Sequence, residues 1–371
     1  MKNLLIAAAV MTAAGAADAQ SSMTIFGILD VALLHATATG GGHLNLLTPS
    51  EFNASRLGFR GSEDLGGGMS ASFVLDGVIF PDDGRAGGSI PAGNQPPAPA
   101  GGGGMNFNRR STVSLAGNWG EVRLGRDFTP TFFEQSTYDP FGVLGIGTSQ
   151  VQVGAAAIAP AGTLGVMVRA SNQIAYFLPK DLGGTYGQAA YWLGENAQNG
   201  AATQRDGTGY AGRLGYAKGP FDVSAAWGKT KFAAGDYTTW GVGGQWNFGV
   251  INVMSMVQND RRSAPMNVEG RGWVLGAVLP LGQSQIMVAY SAYALKYGVA
   301  GRPDPKQRKW ALGYVYNLSK RTALYAQAAR VQNSSGFVGG PASTVIGSVA
   351  YGPGVINGSS TGNEVGIRHS F

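Results

Sequence analysis

The side chains of this chain alternate with a period of two. From Trp240 to Phe248, Trp240, Val242, Gly244, Trp246 and Phe248 share one face, while Gly241, Gly243, Gln245 and Asn247 share the other. The same beat runs through Tyr210–Tyr216, Phe221–Trp227 and Trp310–Asn317. Successive side chains of a strand point to opposite sides, so each segment presents one greasy face and one small or polar face. The apolar set is too broad and too aromatic for the surface of a water-soluble sheet, and the other set is too polar for a packed core. A strand with lipid on one side and water on the other satisfies both. Tyr216, Phe221, Trp246, Phe248 and Tyr316 fall at strand ends, where a transmembrane barrel carries its interfacial girdles. Composition agrees: charged residues are 13% where soluble domains carry about 25%, and glycine is 60 of 371 residues. No stretch offers the roughly eighteen uninterrupted apolar residues of a spanning helix.

Lys2, the apolar run Leu4–Val10 and Ala17-Asp18-Ala19 read as a secretory leader over residues 1–19, leaving residues 20–371 as one barrel domain. With no cysteine, stability must come from backbone pairing and burial rather than disulfides. Sixteen antiparallel strands can be counted between Ser22 and Phe371, an even number as bacterial barrels require. The connections sort by length. Glu63–Gly68, Gly117–Gly120, Pro179–Gly184, Lys218–Pro220, Phe248–Val250, Pro280–Gln283 and Leu318–Arg321 are short. The alternate set holds every long one: His35–Glu51, Pro81–Gly104, Phe128–Leu164 and Gln332–Thr361. Short periplasmic turns and long external loops are the expected asymmetry of an outer-membrane barrel.

Several segments carry a more specific likeness: Ser22-Met23-Thr24-Ile25-Phe26-Gly27-Ile28-Leu29-Asp30, the run Ser55 to Gly68, Leu124-Gly125-Arg126 before Thr129-Pro130, Asp139-Pro140-Phe141-Gly142, and the closing Val365 to Phe371. Together they resemble the general-diffusion porins of Gram-negative outer membranes, especially the trimeric kind of beta-proteobacteria. The resemblance implies a homotrimer in outer-membrane lipid and lipopolysaccharide that passes small hydrophilic solutes and ions. It implies a third external loop, here Phe128–Leu164, folded into the lumen as an eyelet, and Phe371 as the signal read by the barrel-assembly machinery. It also implies a constriction in which wall arginines, best matched by Arg56, Arg110 and Arg169, face loop acids, best matched by Glu134 and Asp139. The enteric pattern has a Glu between the equivalents of Pro140 and Phe141; this chain does not.

By parity the lumen also receives Arg60, Arg123, Arg213 and Arg368, against Asp30, Glu121, Asp222 and Glu364. Arginine stays protonated at every accessible pH, and several in a narrow low-dielectric bore enrich anions, so mild anion preference is expected. Arg126 has outward parity, where mid-membrane exposure would cost about 2–4 kcal/mol, and is expected to face another subunit. Other motifs carry little. Gly207-Thr208-Gly209-Tyr210-Ala211-Gly212 fits a nucleotide-loop spacing with no helix after it. His35, His43 and His369 could share a metal only if the first loop met the last strand. No cofactor and no nucleic acid is expected. The alternatives are a substrate-specific channel and, less favoured, a barrel enzyme, for which no G-x-S-x-G elbow is present.

Overall fold

The computed structural model describes residues 22–87, 104–158, 168–299, 301, 303–336, 345–346 and 349–371; the leader expected over residues 1–19 lies outside them. The backbone closes into one antiparallel barrel of sixteen strands. In chain order they are β1 (Ser22–Ala38), β2 in two halves (Gly42–Pro49 and Arg56–Gly66), β3 (Met69–Phe80), β4 (Arg110–Gly117), β5 (Gly120–Phe128), β6 (Arg169–Phe177), β7 (Thr185–Trp192) and β8 (Gly209–Lys218). There follow β9 (Phe221–Thr230), β10 (Tyr237–Asn247), β11 (Asn252–Arg262), β12 (Val268–Leu281), β13 (Ser284–Lys296), β14 (Lys306–Asn317), β15 (Thr322–Ser334) and β16 (Ser359–Ser370). Each strand pairs with its sequence neighbour, and β16 pairs back onto β1 from Ile28↔Ser370 to Ala38↔Ser360. A closed ring leaves no unpaired edge, which is what lets strands lie in hydrocarbon at all.

Closure is completed by the last residue. Gly27 N–H donates to the Phe371 carbonyl at 3.1 Å and Phe371 N–H to the Gly27 carbonyl at 3.0 Å. The Phe371 ring lies on Gly27 so closely that a Cβ there would collide with it.

The outer face is the predicted apolar band: Leu33, Val113, Leu124, Ile174, Leu214, Val242, Leu275, Leu312 and Ile367 are all exposed. Tyrosine and tryptophan flank this band on β6 to β14, as Tyr176, Tyr191, Tyr210, Trp227, Trp240, Trp273, Tyr290 and Trp310 show. They are missing elsewhere: no Trp or Tyr precedes Trp119 and none follows Tyr351. The sector from β16 through β4 therefore has an outer face without Tyr or Trp, its outward aromatics being phenylalanines such as Phe73 and Phe371.

The first external connection differs from the sequence reading. Instead of a loop over His35–Glu51, β1 runs on to Ala38, turns at Thr39–Gly41 and returns as the first half of β2, pairing His35↔Asn45 and Thr37↔His43. The irregular part falls later, at residues 50–55 between the halves of β2. There Asp30, fully buried on β1, accepts the backbone N–H groups of Glu51 (3.2 Å), Phe52 (3.2 Å) and Asn53 (2.6 Å) and the Tyr325 hydroxyl (2.6 Å). The carboxylate thereby supplies the acceptors that a backbone outside the sheet would otherwise lack, as every buried N–H requires.

Candidate functional site: an arginine wall facing an inward loop

The loop after β5 folds into the bore and carries two short helices, α1 (Pro130–Tyr138) and α2 (Gln150–Ala156). Thr129 caps α1, its hydroxyl accepting from Phe132 N–H, and Pro130 opens the helix where a missing N–H costs nothing. Helix α1 lies against β8–β11 and α2 against β12–β14. The wall makes room for them. Inward glycines sit beneath successive loop residues: Gly228 under Thr131, Gly243 under Tyr138, Gly276 under Pro140, Gly313 under Phe141 and Gly362 near Ile146. A Cβ on Gly243 or Gly276 would collide with its neighbour, so these positions form a track in which the loop is seated.

Polar contacts lock the loop there. Glu134, its side chain 1% exposed, pairs with Arg213 of β8 at 2.8 Å and accepts from Ser224 of β9. Arg213 also donates to Thr137 Oγ1 at 3.1 Å. The Tyr138 hydroxyl donates to Asp222 (3.1 Å) and bonds Ser224 (2.9 Å), and Gln135 donates to Gln258 (2.7 Å). Burial pushes the Glu134 carboxyl above the usual carboxylate range, opposed by its Ser224 and Arg213 bonds. Asp139 is buried within the loop, accepting Phe141 N–H at 2.8 Å and Ser149 N–H at 2.9 Å; burial raises its carboxyl too. Both acids assigned to the opening from sequence are thus turned elsewhere, Glu134 to the wall and Asp139 to the loop's own backbone. A long loop held in mid-lumen needs internal caps and anchors, and an acidic side chain of the right length supplies either.

The arginines lie on the other side. Strands β2–β6 and the segment before β4 carry Arg56, Arg60, Arg109, Arg110, Arg123, Arg126 and Arg169, against Asp76, Glu121 and Asp127, with Glu63 and Asp64 at the periplasmic end of β2. Arg110 (3.2 Å) and Arg123 (2.6 Å) share Asp127, Arg123 also reaches Glu121 (2.7 Å), and Arg109 holds Asp76 (3.4 Å). Arg56, Arg60 and Arg169 form no ion pair among the described residues. Arg60 lies over the Phe26 ring (5.3 Å) and Arg169 over Phe128 (4.4 Å) at the root of the loop. Phe128 in turn stacks on Phe132 (5.1 Å), so Arg169 is braced through an aromatic ladder rather than a carboxylate. Arg368 sits 5.8 Å from the Phe52 ring centroid, in the sector of residues 50–55.

Arg126, placed by parity on the outer face, is 9% exposed and satisfied within its own chain, donating to the Asn108 carbonyl (2.7 Å) and Ser171 Oγ (2.8 Å). The segment ending at Asn108 runs outside the barrel, with Phe107 edge-on to Phe59 (6.2 Å), and covers it. Sequence reasoning passed over Arg109 and Asp127; the doublet Arg109-Arg110 and the acid beside Arg126 were the available signals. The histidines do not converge. His35 and His43 stack at 5.7 Å, while His369 bonds Thr322 on a different hairpin (2.9 Å), and no cluster that could hold a metal occurs among the described residues.

Comparison with known proteins decides the family. A model of Gram-negative porins matches residues 6–336. The chain belongs to the Gram-negative porins. The porin is 39% identical to outer membrane porin protein 32 of Delftia acidovorans, over the full length of both chains. It is 26% identical, again over both full lengths, to an outer membrane porin protein of Bordetella pertussis. Its fold superposes on an anion-selective porin from Comamonas acidovorans with a TM-score of 0.78 and 35% identity, covering 95% of this chain and 100% of that one. A trimer form of OmpT from Vibrio cholerae matches at TM-score 0.64 and 13% identity, covering 95% of this chain and 99% of that one, a likeness of fold alone. The porin is an outer-membrane channel protein, and the long connections mark its external end.

Proposed function

We propose that the porin passes small hydrophilic solutes by diffusion with a preference for anions, through an opening lined on one side by Arg56, Arg60, Arg110, Arg123 and Arg169 and on the other by the inward loop. The observation that carries this reading is the imbalance of accessible charge. Several of the acids that could offset the arginines are already engaged: Glu134 by Arg213, Asp139 and Asp30 by backbone N–H groups, Asp127 by Arg110 and Arg123, and Glu121 by Arg123. Unpaired cations in a narrow bore raise the local concentration of anions, while carboxylates already in ion pairs or backbone caps offer little to a passing cation. The anion selectivity named for the Comamonas acidovorans porin supports the same assignment.

The sector from β16 to β4 has no outward Tyr or Trp, whereas most strands from β6 to β14 do, and this supports a homotrimer packed through that face. The remaining circumference would then meet outer-membrane lipid and lipopolysaccharide, and Phe371 would serve as the mark recognised by the barrel-assembly machinery. The porin family and the barrel fold point to a channel rather than an enzyme. Planar-bilayer recording tests the reading. Current steps grouped in threes and a zero-current potential of anion sign in a potassium chloride gradient are expected; a cation-signed potential overturns the selectivity.

A further inference from the structure

Asp260 on β11 is a fully buried carboxylate that the selectivity of the bore does not use. It forms no ion pair among the described residues, and neutral donors hold it instead. The hydroxyls of Tyr237 on β10 (2.7 Å) and Tyr293 on β13 (2.8 Å) donate to it, one to each oxygen, and the Gln258 amide donates to both, at 3.0 and 2.9 Å. Asp260 lies opposite Gly270, and Tyr293 opposite Gly272, so the Tyr293 side chain crosses the bare face of β12 to arrive from two strands away. A Cβ at either glycine would collide with it.

The two sides of this cluster reach different helices of the inward loop. Gln258 spends its amide nitrogen on Asp260, which leaves its carbonyl end for the loop, and that oxygen accepts from Gln135 Nε2 of α1 at 2.7 Å. A carboxylate offers only lone pairs, so it dictates which way Gln258 points and, through Gln258, which way Gln135 must point. On the other side, the Tyr293 ring lies so close to Gly154 of α2 that a Cβ there would collide, and Val151 and Ile158 come down on the same two glycines of β12. Ser291, two residues before Tyr293, accepts the Gln150 N–H at the start of α2 (2.9 Å). Gln135, Gln258, Asp260 and Tyr293 are all buried, so a polar group orphaned in this chain costs its full desolvation.

We propose that Asp260 is a positioning residue that couples α1 to α2, so that the two helices of the inward loop dock and undock as one plug. Loosening α1 frees Gln258 to turn; Asp260 then loses a donor, its hold on Tyr293 slackens, and α2 loosens in turn. The Glu134–Arg213 pair anchors α1 alone, whereas Asp260 makes each helix depend on the other. The test is hydrogen exchange of residues 131–138 and 150–156 in folded, detergent-solubilised protein, read by mass spectrometry. Gln135→Ala cuts α1 from the cluster and should speed exchange of α2 as well as α1 about fivefold, the worth of one neutral hydrogen bond. In an Asp260→Asn background, equal in size but free to let Gln258 turn over, the same substitution should leave α2 unchanged. Tyr293→Phe keeps the ring on Gly154 and removes only the hydroxyl; it should block the transmission too, and it decides the matter if Asp260→Asn yields no folded barrel. A residue that merely stabilised the wall would give additive losses. An α2 rate indifferent to Gln135→Ala in the wild type, or equal acceleration in all three backgrounds, overturns the proposal. In bilayer recordings Asp260→Asn should add a partial current level absent from the wild type, as one helix moves without the other, and an unaltered set of levels overturns the proposal as well.

Discussion

Removing Arg213 should loosen the inward loop more than removing its partner does. The Glu134 side chain is 1% exposed and that of Arg213 11%, so the two ends of this 2.8 Å pair are unequally wet. Arg213→Ala strands a buried carboxylate, a loss that costs about 3–5 kcal/mol when one member of a buried pair is deleted. Glu134→Ala leaves a cation that can swing toward the bore, and should cost only the lost charged hydrogen bonds, about 1.5–3 kcal/mol. Removing both should recover part of the Arg213→Ala loss, because no unpaired charge then remains under the helix. Hydrogen exchange of the α1 amides reads these energies: at about 1.4 kcal/mol per decade, Arg213→Ala should cut protection by roughly two to three and a half decades if exchange proceeds through undocking. The pH dependence follows from burial. A carboxyl whose docked pKa is raised takes up a proton on docking, so docking is favoured as pH falls through that pKa and disfavoured as pH rises above it. Without Arg213 the rise is larger, so the variant should regain protection in mildly acidic buffer while the wild type changes little. Wild-type protection of residues 132–138 in Arg213→Ala at neutral pH would refute the anchoring argument.

Other substitutions address separate parts of the molecule. Arg56→Ala with Arg169→Ala should move the zero-current potential toward cations without abolishing conductance; an unchanged potential would remove these two from the selectivity argument. Asp30→Ala orphans the N–H groups of residues 51–53 and should cost about 2–4 kcal/mol, seen as faster exchange of those amides and noisier single-channel current; quiet channels would mean the segment holds itself. Gly243→Val should push Tyr138 off the wall and lower single-channel conductance, whereas unaltered conductance would show that the loop has slack. Deleting Phe371 removes two backbone bonds and a ring at the seam, and a fall in folded, heat-resistant protein in outer-membrane fractions is the expected result.

The barrel was legible because strand alternation is a local property: which side Trp240, Val242 and Trp246 face depends on the pleat alone, and six of the seven short turns carry Gly, Asp, Asn or Pro. The split in β2 was not legible, since Leu44–Pro49 has no clear beat and the pairing that draws it into the sheet comes from β1, while the carboxylate that holds residues 50–55 inside lies on another strand. Wall arginines such as Arg56 and Arg110 could be placed by parity. Loop acids could not, because a helix inside a lumen offers Glu134 and Asp139 a choice of wall, water or backbone that only packing resolves. Arg126 shows the same limit: parity gives it an outward side, but the cover over it arrives from a segment before β4.

The row of bare positions under the inward loop has one more implication. Aperture in this channel is governed from behind: each missing methyl at Gly228, Gly243, Gly276, Gly313 and Gly362 lets the plug recede from the axis. Bulk added to the staves, at sites no permeating solute touches, would shift the plug inward by increments, so the size cut-off could be retuned without altering the charges that choose the sign of the ion.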